Sequence, residues 1–115
     1  MIFNPQPKQK RIKLSKNGYK KICSLVDERD DESCVICGST YGIHHHHIVF
    51  RPALGSDTLE NLVCVCWKCH DKYCHGVKAK EWREHLKEYI ETVSDWNDTH
   101  REMAEEIYRR NGGAT

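Results

Sequence analysis

At 115 residues the chain has room for a single domain with a small apolar core. Apolar residues make up 38% and charged residues 30%, and no apolar run is long enough to cross a bilayer or form a signal-peptide core, so the expectation is a soluble, cytoplasmic protein with no membrane partner. Seven cysteines, an odd number without a secretory segment, exclude a disulfide framework as the best explanation and favour metal.

The formal net charge of +1 hides an asymmetry. Residues 1–22 carry seven bases and no acid, whereas residues 81–111 carry nine acids against five bases. Residues 1–14, with Pro5 and Pro7, read as a basic extended arm. It is either a phosphate contact through Lys8, Lys10, Arg11 and Lys13 or a solvated tail. From residue 15 onward a single domain is expected. After Ser15 or Asn17 as N-cap, Tyr19, Ile22, Cys23 and Val26 recur at helical spacing, predicting an amphipathic helix that ends near Arg29. The acidic stretch "DERDDES" leads into "CVICGSTYG", two cysteines three positions apart with a glycine after the second, the form of a zinc knuckle.

"IHHHHIVF" predicts a short strand, "RPALGSD" a loop, and "TLENLVCVC" a second strand or irregular segment. "WKCHDKYCHG" begins a helix or turn carrying the second cysteine pair. From Lys80 to Asn111 the pattern is helical: Trp82, Leu86, Tyr89, Val93, Trp96, His100, Met103 and Ile107 form an a/d seam. "SDWNDT" is rich in capping residues and allows two helices folded on each other. The seam packs either against the body of the domain or against a second copy of the chain, giving a homodimer.

Cys34 and Cys37, with Cys66 and Cys69, suit a closed tetrahedral Zn2+ site that supplies folding energy to a domain short of core. Cys23 and Cys64 fall on apolar periodic positions and read as small core residues. Zinc at the four thiolates would bring His70 near the four-histidine strand, so a second, open metal site of imidazoles is expected.

Framed by "CVIC", the stretch "HHIVFRPALGSDTLENLVCVCWKCH" resembles the HNH endonuclease family over roughly residues 34–76. The resemblance implies an α+β fold: a small ββα-metal core with a four-cysteine zinc site, an N-terminal helix and a C-terminal helical extension over 80–111. It implies that His46 is a ligand of the catalytic metal, His47 the general base, Asn61 the residue that orients the loop or the base, and His70 the last metal ligand. Where many relatives have another histidine four residues after His70, this chain has Cys74 followed by His75. The third ligand is therefore His75, Cys74 or none, with water and phosphate completing the sphere; a soft thiolate suits Mg2+ or Mn2+ poorly. His44 and His45 have no implied role and read as solvent-facing or strand-packing. Arg51 either contacts a phosphate or is simply exposed, and Lys68, Lys72, Lys78 and Lys80 would extend a positive rim.

The implied function is metal-dependent hydrolysis of DNA phosphodiesters, nicking or cutting double-stranded DNA with little sequence preference and leaving a 5' phosphate and a 3' hydroxyl. Mg2+, Mn2+ or another divalent ion would serve the catalytic site. Small relatives often come from phages, which suggests a packaging or other DNA-processing partner. A non-catalytic zinc-stabilised nucleic-acid-binding module is the alternative, and it leaves His46, His47, Asn61 and His70 without a reason to occur together.

Overall fold

The computed structural model describes residues 11–114, and Lys8 and Lys10 lie outside the described residues. A first strand, β1 (Ile12–Leu14), leads into helix α1 (Lys16–Arg29). Ser15 caps α1 by accepting the Gly18 N–H at 3.2 Å. Ile22, Cys23, Leu25 and Val26 form its buried face, as the periodicity predicts. The helix stops at Asp30, whose N–H still reaches the Val26 carbonyl, and Asp31 and Glu32 then turn the chain through left-handed φ values of 60° and 49°.

The centre is an antiparallel hairpin of β2 (Ile43–His47) and β3 (Leu62–Cys66), with His45 opposite Cys64 and His46 opposite Val63. All five residues of β3 are buried because both faces of this strand are covered. Leu62 and Cys64 join the core formed by Ile22, Leu25, Val26, Ala104 and Ile107; Val63 and Val65 join a second core with Ile48, Cys74 and Leu86. An alternating strand normally has one wet face. Here the sequence LVCVC is apolar throughout, and β3 separates two cores.

A short helix α2 (Trp67–Cys69) runs directly into a π-helical turn, His70–Cys74. Three helices follow, α3 (Ala79–Thr92), α4 (Ser94–Thr99) and α5 (Arg101–Asn111), and then strand β4 (Gly112–Ala114). The expected seam is thus broken twice, at Val93 and at His100, whose ring stacks on Trp96 at 3.6 Å between centroids. Leu86 and Ile107 of the seam are buried within the chain, while Met103 is exposed. α5 packs against α1 so closely that a Cβ on Gly18 would lie 2.3 Å from Asn111 Cβ.

Of residues 1–14, read as a basic extended arm, residues 1–10 lie outside the described residues and Ile12–Leu14 is a strand. Ile12–Leu14 pairs antiparallel with β4, and the Ile12 carbonyl accepts the Asp57 N–H at 2.8 Å, which docks the segment on the loop before β3. Leu14, apolar and buried, anchors this strand in the core.

A buried ion pair ties these parts together. Arg29 Nε donates to Asp30 Oδ1 at 2.8 Å, and both side chains are wholly buried. The rest of the Arg29 guanidinium donates to the carbonyls of Leu59 and Leu62 and to Asn97 Oδ1. Asp30 accepts the Cys64 N–H at 2.9 Å and the Tyr89 hydroxyl at 2.6 Å. One pair therefore joins α1, the entry to β3, β3 itself, α3 and α4. Arg29→Leu leaves Asp30 a buried charge without its partner and is expected to lower stability by about 3–5 kcal/mol; urea unfolding measures it, and a change below about 1 kcal/mol, the size of a surface ion pair, would contradict this role.

Candidate functional site

Two clusters of ligand atoms flank α2. In the first, Cys34 and Cys37 sit in the turn before β2, while Cys66 ends β3 and Cys69 ends α2. The turn closes through the Gly38 N–H on the Cys34 carbonyl at 2.8 Å, with Gly38 at φ 81°. All four sulfurs lie within 4.8 Å of one another, and Cys37 Sγ is 3.7 Å from Cys66 Sγ. A tetrahedral zinc–thiolate site has an S–S edge of about 3.8 Å, so the residues fit the ion. Burial pushes the Cys34 thiol up, but N–H groups of Cys66, Cys37 and Ile36 outweigh it and bring the thiol down to about 7. Backbone donors are thus already aimed at a thiolate.

The second cluster is made of His46, His70 and His75. Alternation along β2 turns His44 and His46 toward α2 and turns His45 and His47 toward α1. His46 is buried, and its ring centroid lies 5.1 Å from His70 and 5.6 Å from His75. The Nε2 atoms of His70 and His75 are 3.1 Å apart. Imidazole nitrogens bound tetrahedrally to one zinc-sized ion at 2.0–2.1 Å stand about 3.3 Å apart, close to the spacing seen here, so this trio also fits a metal. Burial, followed by repulsion from His70 and His75, lowers His46 to about 3, and burial with His75 and His44 lowers His70. Both rings are therefore neutral near pH 7 and offer lone pairs.

The π turn explains how His75 gets there. Its N–H bonds the His70 carbonyl at 3.1 Å, five residues back, so positions 70 and 75 share a face. In a regular α-helix position 74 would take that place. Cys74 instead points into the second core and is buried. Phe50 stacks on His75 at 4.9 Å and meets His46 edge-on, forming an apolar wall against the cluster.

His47 lies outside this trio, beside α1. Its Nε2 is 2.8 Å from Asp57 Oδ1, and its ring lies parallel to Tyr19 at 6.0 Å. Asp57 is buried, and its other oxygen accepts the Leu14 N–H at 2.9 Å, so β1 fixes the carboxylate. Arg51 Nε also approaches His47 Nε2, at 3.3 Å, and its guanidinium covers the Tyr19 ring at 4.9 Å. The carboxylate contact is shorter and charge-assisted, which assigns the proton to Nε2 and makes Nδ1 the acceptor. Burial lowers the His47 pKa, and the hydrogen bond to Asp57 opposes that shift.

Asn61 does not bond His47 among the described residues. Its Oδ1 accepts the Val49 N–H at 2.8 Å, and its Nδ2 donates to the carbonyls of Val49 and Ser56. It closes the loop between the strands like a sheet ladder made from a side chain. Arg11 donates to the Gly55 carbonyl of the same loop, and Lys13 is exposed on β1. Asp57, Phe50 and the π turn are absent from the sequence-based site. For Asp57 the acid in "GSD", four residues before Asn61, was the available signal.

Cys66→Ser is expected to remove one tightly held zinc per chain and to lower thermal stability, read by elemental analysis and circular dichroism. Undiminished zinc in that variant would show that the four cysteines do not act together.

No curated protein and no solved structure matches the chain significantly. A family model does match: residues 34–76, from the first cysteine pair through the end of the π turn and Gly76, match HNH endonuclease.

Proposed function

We propose that the chain acts on or binds DNA, a reading supported by the match of residues 34–76 to the HNH endonuclease model. No helix among the described residues is long and apolar enough to cross a membrane. We propose that the chain is a metal-dependent DNA endonuclease that hydrolyses phosphodiesters with little sequence preference, giving a 5' phosphate and a 3' hydroxyl. The observation that supports this most is the pairing, on one strand, of a three-imidazole cluster with an adjacent histidine held by a buried aspartate. A binding module needs neither.

His46, His70 and His75 would hold the divalent ion, which when bound neutralises charge gathering on the phosphoryl oxygens and the leaving 3' oxygen. Imidazole donors suit zinc, iron or nickel better than Mg2+, so the donor set shifts the expected ion away from magnesium. His47 accepts the proton of the attacking water at Nδ1. Asp57 keeps the Nε2 proton in place and stabilises the imidazolium that results. Asn61 fixes the loop that carries Asp57, and Arg51, half exposed beside His47, is placed to meet a phosphate.

The non-catalytic reading draws on a different feature. A groove of about 780 Å³ beside the cysteine cluster is lined by Tyr41, Trp67, Tyr73 and Trp82, with Lys68 over the Trp67 ring and Lys72 over Tyr73. Aromatic faces edged with lysines suit nucleic acid in either case.

Supercoiled plasmid incubated with the protein and Zn2+, Ni2+, Mn2+ or Mg2+ is expected to become nicked or linear, and EDTA to prevent it. His47→Ala should slow cleavage by about 10²–10⁴-fold, and Asp57→Asn should slow it while plasmid still shifts in a gel. Plasmid that shifts but stays intact with every metal would leave the binding module as the function.

A further inference from the structure

Two features of the sequence take no part in the site above: His45 and the acidic stretch that begins in the last turn of α1. The fold brings them together. His45 Nε2 is 2.6 Å from Asp27 Oδ1, and Cys64, cross-strand partner of His45, places its Sγ 3.3 Å from the same oxygen. One ligand atom from each of the three lies within 4.8 Å of the others. Asp27 and His45 are part-exposed, and Cys64 lies behind them, fully buried in the core. Beside them opens a cavity of about 430 Å³, lined also by Asp31, Glu32, Thr40 and Ile43.

We infer that Asp27, His45 and Cys64 form a third metal site, taking a borderline divalent cation of the zinc class. The donor set is one carboxylate oxygen, one imidazole nitrogen and one thiolate, a mixture that zinc accepts and that magnesium or calcium does not favour. Three protein ligands with a solvent-facing fourth position make an open site rather than a closed structural one. The carboxylates of Asp31 and Glu32 line the approach and attract a cation. Binding converts the Cys64 thiol, now a donor to Asp27, into a thiolate and releases its proton to solvent. The site lies on the face of β2 opposite the His46 cluster. The four histidines are then divided: His46 serves one ion, His45 another, His47 pairs with Asp57, and His44 is exposed near His70.

Cobalt distinguishes this site, because thiolate-to-Co2+ charge transfer absorbs in the near ultraviolet and the three-histidine cluster contains no sulfur. Co2+ is titrated into the full-length protein with zinc retained at the four cysteines, its zinc content checked before and after. Because the three-histidine cluster also takes cobalt, the charge-transfer band is expected to appear and saturate by two equivalents. Cys64→Ser should abolish it, His45→Ala and Asp27→Asn should each weaken cobalt binding by at least about tenfold, and His70→Ala and Cys74→Ser should leave it unchanged. A wild type without the band, or a band that survives in Cys64→Ser, overturns the assignment. If Cys64→Ser does not fold, unchanged binding in both His45→Ala and Asp27→Asn does so.

Discussion

The buried pair of Arg29 and Asp30 is the constraint on which the other elements depend. A guanidinium and a carboxylate without solvent are tolerable only if every remaining donor and acceptor finds a partner. Here the partners are main-chain groups at Leu59, Leu62 and Cys64 and side chains of α3 and α4. The end of α1, the position of β3 and the seating of the C-terminal helices are therefore set by one group of hydrogen bonds. Asn97 marks its edge: Oδ1 takes the arginine, while Nδ2 has no partner among the described residues.

On that frame the hairpin acts as a partition. Its strand β3 is apolar on both faces, so β2 can place chemistry on both of its own. The face toward α2 collects His46 with His70 and His75, at the start and just past the end of the π turn, and the face toward α1 receives His47 with Asp57 and His45 with Asp27. Two imidazoles adjacent in sequence thus enter different environments. Burial lowers the pKa of both; beyond that, His46 sits among other histidines that oppose its protonation, whereas His47 sits beside a carboxylate that works against the shift.

Much of this could be read from short spacings. The C-x2-C pairs, the helix beginning after Ser15, the strand at the histidines and the two-sided use of His46 and His47 all follow from residues close in sequence. The contacts that escaped are of another kind. Asp57 meets Leu14 across 43 positions, Arg29 meets Leu59 across 30, and Asp30 meets Tyr89 across 59. No local period encodes them, since each is a polar side chain whose partner is a backbone group or a residue of ordinary type. The pairing of β1 with β4 is illegible for the same reason, as a glycine pair at residue 112 shows no strand propensity.

The π turn carries one residue more than the α-helical turn that would place a ligand four positions after His70. It is equivalent to a single-residue insertion at Cys74 whose disturbance is absorbed within one turn, so that α3 keeps its footing on the second core. Helical regularity has given way, and the inward direction of the second imidazole has not. In terms of descent, a chain built this way can change the spacing of its ligands in sequence while holding their spacing in space. A pattern search that insists on fixed intervals would pass over such a histidine.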